Sequence, residues 1–394
     1  MRKIALLLMT LGLTGCSIIE TLDEAVTGVS EYVFGADNLE PPVVLTDYNQ
    51  EVAIDVLWKE NIGEGPGEGY FKLLPVVTDK SIFVADGKGL VKALEPHTGN
   101  QQWETETGFT LSAGPGLGKE ALVFASSHAE VVALNPQNGR QLWKTKVSSE
   151  VLSTPVVVNG IVIIRSIDGR MVALNELDGH KLWEFDRSVP ALSLRGSGTP
   201  VVDGDLLIGG FDNGKLLALR LKDGRQIWEA SVAMPKGRSE VERLVDLDSD
   251  PLIQDGVIFI ASYQGGISAA QTNNGNIVWR NEDISAFSGM SQAGRYLYLT
   301  DPASDVYQLD QRNGLSLWKQ KDLHQRKLTA AVVYGDYVVV GDFEGYVHWL
   351  SVSDGRQLGR LQVDAGGIAI TPVVKDNIVY VYAKDGTLAA LKAR

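Results

Sequence analysis

Cysteine occurs once in the 394 residues, at Cys16, so no internal disulfide can form and the fold must stand on packing alone. Histidine is scarce as well. His97, His128, His180, His324 and His348 are scattered without metal-like spacing, and His97 and His180 fall in turns, so no metal centre is expected. No Gly-x-Ser-x-Gly elbow is present, and no second thiol could pair with or replace the first. Beyond residue 15 no apolar run approaches the roughly 20 residues a membrane-spanning helix needs. Positive charge is in deficit, with 36 Lys and Arg against 49 Asp and Glu and a formal charge of −13, which argues against nucleic acid as a partner. Only 14 prolines and five methionines stand against 42 glycines, a balance that favours many turns over long helices. The glycine-rich "GEGPGEG" at 63–69 lacks the Lys-Ser/Thr ending of a phosphate loop and carries Glu64 and Glu68, which would repel a phosphate.

What is present begins at the N-terminus. "MRK" followed by "IALLLMTLGLTG" has the basic start and short apolar run of a secretory signal. It ends in "LTGC", which resembles the lipobox of bacterial lipoproteins, where the cysteine is acylated and becomes the new N-terminus. On that resemblance residues 1–15 are the signal peptide and Cys16 is the lipidation site. Ser17, in place of an aspartate, suits sorting to the outer membrane. Losing Arg2 and Lys3 with the signal takes the formal charge from −13 to −15. Residues 16–50 are acidic, contain Pro41-Pro42, and read as a tether.

One phrase then recurs: "KALEPHTGNQQW", "VALNPQNGRQLW", "VALNELDGHKLW", "LALRLKDGRQIW", "SAAQTNNGNIVW" and "YQLDQRNGLSLW". A seventh copy, "HWLSVSDGRQLG", has Gly359 where the tryptophan should stand. The shared glycines, from Gly99 to Gly355, are spaced by 40, 40, 45, 51, 39 and 41 residues. Each phrase reads as two short strands around a turn whose glycine supplies a positive φ, and another strand pair lies upstream. A period of about 40 residues with four antiparallel strands is that of a β-propeller blade. Three-strand units end near Leu94, Leu134, Leu174, Leu219, Ala270, Leu309, Leu350 and Leu391, so eight blades are expected over 51–394. The last unit runs into the C-terminus without a fourth strand, and the strand around Trp58 is expected to supply it and close the ring. The tryptophans are expected to wedge between neighbouring blades.

The repeat resembles the tryptophan-docking motif of propellers that hold pyrroloquinoline quinone in dehydrogenases. Those enzymes also need calcium and commonly a vicinal cysteine pair, which this chain lacks, so no cofactor is expected. A periplasmic quinone-dependent oxidoreductase remains the alternative, tested by incubation with the quinone and calcium followed by spectra and dye reduction. Repeats, lipobox and eight-unit length together are similar to the BamB family of outer-membrane assembly lipoproteins, over essentially the whole chain. The resemblance implies a non-enzymatic scaffold at the periplasmic face of the outer membrane. It would bind the POTRA domains of BamA and assist insertion of outer-membrane proteins, with direct handling of unfolded clients conceivable.

Two connectors carry the specific part. Tryptophan to the next blade's opening proline is 12 residues for Trp103–Pro115 and Trp143–Pro155, but 17 for Trp183–Pro200 and 23 for Trp228–Pro251. Both long connectors should emerge on one face, side by side, and long loops on a rigid scaffold commonly carry function. Leu192, Leu194 and Leu244 would offer apolar anchors, Arg195 a planar donor fork, and Asp246 and Asp248 acceptors. Leu192, Leu194, Arg195, Asp246 and Asp248 are the positions that match the family's BamA-binding loops. Arg195 can also pair internally with Asp246 or Asp248, and the two uses are compatible. Asp86, Asp168, Asp212, Asp342 and Asp385 fall in turns on the same face, as an acidic rim or as turn-favouring aspartates.

Overall fold

Strand pairs such as Val156–Val158 and Ile161–Arg165 are joined by two residues, Asn159 and Gly160, with φ of 51° and 78°. Two successive positive φ values give a hairpin turn whose twist matches that of the flanking strands. The same device, built from Asp255 and Gly256, opens the blade at Leu252–Gln254. A computed structural model describes residues 40–67, 71–187, 198–235, 238, 243–286 and 288–394. Among these residues every regular element is a strand, and the strands form eight antiparallel sheets of four. Seven sheets are sequential. The eighth joins Ile54–Asn61 to the C-terminal strand Thr387–Ala393, with Trp58 opposite Ala390, which closes the ring as the repeat count predicts. The chain is an eight-bladed β-propeller; blades are numbered here from Val76, so that blade 8 contains both termini of the ring.

The core is divided among the seams between blades. Eight apolar clusters are present, and each draws its side chains from two neighbouring blades. That explains runs such as Leu122–Ala125, buried at every position: both faces of a middle strand are covered, so the usual alternation disappears.

At seven seams a tryptophan on an outer strand reaches the next blade. Its indole N–H donates to a turn carbonyl there: Trp58 to Pro96, Trp103 to Pro136, Trp143 to Glu176, Trp183 to Leu221, Trp228 to Thr272, Trp279 to Gln311 and Trp318 to Val352. The turn glycine lies flat under the ring. A Cβ added at Gly224 would sit 2.5 Å from the Trp183 ring, and Gly224 also has φ of +70°, so the repeated glycine answers two demands at once.

The seam between blades 7 and 8 is built differently. Blade 8 ends with the chain and has no turn to receive an indole. Here the large residue lies on the inner side of the pair: Trp349 is fully buried and stands opposite Gly359, where other blades place alanine or glutamine opposite tryptophan. A Cβ at Gly359 would meet the carbonyl of Val52 at 2.8 Å. The chain preceding the ring fills that space. Glu51 and Val52 donate their N–H groups to Leu358 O at 2.8 and 3.1 Å, and Arg360 bonds Thr46 O at 2.9 Å while stacking on Tyr48. Leu45 packs into the seam between blades 6 and 7, and Arg326 donates to Val43 O at 2.9 Å. Residues 42–50, expected as tether, therefore belong to the compact unit Pro42–Arg394. Cys16 and the rest of the expected signal and tether up to residue 39 lie outside the described residues.

Candidate docking site

Outer strands end beside the turns between the second and third strands of their own blade. Val232 N–H donates to Gly214 O at 2.9 Å, just as Thr107 N–H does to Gly89 O in blade 1. Every connector to the next blade thus starts on that one face. The two enlarged connectors span 186–200 and 232–251, and they touch. The carbonyls of Ser249 and Leu247 lie 2.6 and 3.0 Å from where a Cβ of Gly198 would be, and Thr199 N–H donates to Asp250 Oδ1 at 2.6 Å. Leu192, Leu194 and Arg195 fall in 188–197, outside the described residues, so only the feet of the first connector are seen.

The second connector differs from expectation at two named positions, Leu244 and Asp246. Leu244, expected as an exposed anchor, is 9% exposed, and its neighbours Val245 and Leu247 belong to the apolar cluster between blades 4 and 5. Asp246 is 1% exposed, so its carboxylate does not stand open to a partner, whereas Asp248 is partly buried and lines a cavity. The return limb of this connector is a seam filler. A loop's length places its ends but not the depth at which its residues run. Met234 is 54% exposed on the outgoing limb, an apolar side chain the sequence reading passed over.

Beside Gly198 lies a buried cation that sequence reasoning also missed. Arg165, at the end of its strand in blade 3, is 3% exposed; it donates to Gly198 O at 2.9 Å and pairs with Asp212 at 3.4 Å. Burial pulls its pKa below the ordinary value, and Asp212, Asp248, Asp250 and Asp246 oppose that shift. Its guanidinium lies 5.1 Å from the centre of the Phe211 ring, and that of Arg187 lies 5.6 Å from the same ring. Burial pushes the Asp248 carboxyl up to about 6, aided by Asp212 and opposed by Arg165 and Lys72. Lys72, in the segment leading into blade 1, pairs with Asp250 at 2.7 Å. Asp248, Asp250 and Lys72 line a cavity of about 490 Å³ together with Tyr263, Asp301 and Lys327. A strand-end arginine looks like any other in sequence; only the length of the two connectors hinted that something must hold them.

The expected acidic rim is corrected in part. Asp86 and Asp342 are 3% and 0% exposed, and their carboxylates accept backbone N–H groups of their own turns, from Lys88, Gly89 and Leu90 in one case and from Glu344 and Tyr346 in the other. They are turn formers rather than steering charges.

A family model described as outer membrane protein assembly factor BamB matches residues 87–320 and 304–394. The chain belongs to the BamB family. A curated BamB of Pseudomonas aeruginosa is 43% identical over 354 residues, covering 90% of this chain and 93% of its own. The BamB of Escherichia coli K12 is 34% identical over 404 aligned positions, 99% of either chain. The crystal structure of BamB from Moraxella catarrhalis superimposes with a TM-score of 0.78 at 22% identity, over 86% of this chain and 100% of that one. A quinohemoprotein alcohol dehydrogenase of Comamonas testosteroni superimposes at 0.67 with 14% identity, over 86% of this chain and 76% of that one, which shows a shared fold and nothing more.

Proposed function

We propose that this chain is a non-catalytic scaffold of outer-membrane protein assembly, tethered by acyl chains on Cys16 to the periplasmic face of the outer membrane. Its partner is the POTRA region of BamA, and through it the rest of the assembly complex. The observation that carries the reading is the pairing of the two enlarged connectors: Thr199 is bonded to Asp250 of the other connector, and Gly198 to Arg165 of the propeller wall. Leu192 and Leu194 are the apolar contacts and Arg195 the donor fork, a combination common where few residues supply most of the binding energy. Family membership supports the same assignment, since the curated relatives are named as assembly factors. Leu244 and Asp246 act indirectly in this reading, by holding the second connector in its seam, and Asp248 stays an acceptor for the partner.

A pull-down of the tagged protein from detergent-solubilised outer membranes should bring BamA with it. Arg195→Glu should abolish that co-purification and leave thermal unfolding unchanged; retained binding rejects the docking site. Cys16→Ser should release the protein to the soluble periplasm, and continued membrane fractionation would reject the anchor.

A further inference from the structure

Every outer strand is bulged at the same place. In blade 4 Ala218 faces Trp228 and Leu219 faces Gln226, which leaves Ile227 out of the ladder. Leu182, Val278 and Leu317 are skipped in the same way in blades 3, 5 and 6, and Leu57 in blade 8. These five side chains are 41–50% exposed. The skipped residue of blade 7, Leu358, is 7% exposed, and extended backbone from the chain's own N-terminal part is bonded there. Leu358 O accepts the N–H groups of Glu51 and Val52, and Arg360 N–H donates to Gln50 Oε1 at 3.1 Å. Val52, itself buried, lies over Gly359. A lone exposed aliphatic side chain needs no explanation. Five at one position of a repeat, with the sixth covered by an extended segment, call for one. A bulge interrupts the edge and disfavours addition of a full strand. Blade 7 shows what the bulge admits instead: a short extended segment, held by one carbonyl and one N–H of the edge, with an aliphatic side chain beside it.

We propose that the bulges of blades 3 to 6 are docking points for extended segments of another, unfolded polypeptide, each taken as blade 7 takes residues 50–52. A folded partner has its backbone groups already paired, so an unfolded chain is the occupant that can offer N–H groups to an edge carbonyl. Backbone bonds read little sequence, and Leu182, Ile227, Val278 and Leu317 select segments that carry aliphatic side chains. That the chain so held is an outer-membrane protein awaiting assembly rests on the reading above; the docking points themselves do not.

The test uses the full-length protein with labelled isoleucine, leucine and valine methyl groups, titrated with a synthetic peptide of alternating valine and threonine with a lysine at each end. The methyl signals of Leu182, Ile227, Val278 and Leu317 should shift as the peptide is added. The same peptide N-methylated at alternate residues keeps its side chains but loses N–H donors, and should not bind. Combining Leu182→Thr, Ile227→Thr, Val278→Thr and Leu317→Thr should weaken peptide binding roughly tenfold and leave thermal unfolding unchanged, because these side chains lie on the surface. Unshifted rim methyls, or equal binding of the N-methylated peptide to the unaltered protein, would overturn the proposal without recourse to any variant. Rim methyls that shift on diluting the protein alone would make a second copy the occupant and overturn it as well. Peptide binding is read on the protein by itself, so its failure sinks this inference whatever the BamA pull-down shows, and failure of the pull-down leaves the docking points standing.

Discussion

Replacing Gly224 by alanine should cost far more than the same change at Gly204, although both lie in turns of blade 4 with positive φ. Gly204 has φ of +58° and open space where a Cβ would go, so alanine there meets only the left-handed backbone penalty, about 1–2 kcal/mol. Gly224 has φ of +70°, and its Cβ would approach Trp183 Cε3, Cδ2 and Cζ3 at 2.5, 2.8 and 3.1 Å. The ring cannot slide away freely, because its N–H is bonded at 2.9 Å to Leu221 O in the same turn. Overpacking adds about 1–3 kcal/mol to the backbone term. If the ring moves instead, the lost indole bond contributes about 1 kcal/mol. Gly224→Ala should therefore destabilise by about 2–5 kcal/mol and Gly204→Ala by no more than about 2 kcal/mol. Urea titrations of both variants, followed by tryptophan fluorescence and circular dichroism with unchanged m-values, give the difference. Equal losses would mean that the indole latch is ornamental and that glycine recurs for its φ alone.

Two further outcomes follow from other parts of the molecule. Asp248 keeps its proton up to about 6 when folded but releases it near 3.8 when unfolded, so the native state binds the extra proton between those values. Stability should accordingly rise as pH falls from 7 to 4, by up to about 3 kcal/mol, and Asp248→Asn should stabilise the protein at pH 7 and flatten that slope. An unaltered pH profile in the variant would remove Asp248 as its source. At the seam between blades 7 and 8, Arg360→Ala loses the bond to Thr46 O and the Tyr48 stack, and should destabilise by about 1–3 kcal/mol while opening residues 43–52 to proteolysis. The neighbouring Arg356, half exposed and paired with Glu51, is the control at about 1 kcal/mol or less; equal effects would deny residues 43–52 their part in filling that seam.

Most of the architecture could be read from recurrence. The phrase ending in tryptophan marks the third and fourth strands of six blades, and counting it with its seventh, tryptophan-less copy and the orphan strand at Trp58 leads to eight sheets and to their closure. The anomaly at Gly359 was visible as a missing tryptophan, but its cause was not, because residues 43–52 share no pattern with the repeat they complete. The docking site was half legible. Connector lengths locate the two loops and their adjacency, but loops usually run outside, and nothing in the sequence marks Leu244 and Asp246 as buried. Arg165 carries no signal, since it ends a strand that reads like its counterparts, and nothing in the segment before blade 1 ties Lys72 to Asp250.

Local rules written into the chain determined which residues are strands, where they turn and how many blades they make, because hairpin geometry and a repeated glycine–tryptophan pair act over short distances and need no knowledge of the whole. Only the closed ring decided what fills the last seam, which connector dives into the core and which arginine holds Gly198. Those choices depend on residues brought together from as far as 47 positions apart for Arg165 and Asp212, and 178 for Lys72 and Asp250, contacts that exist only once the sheets stand side by side.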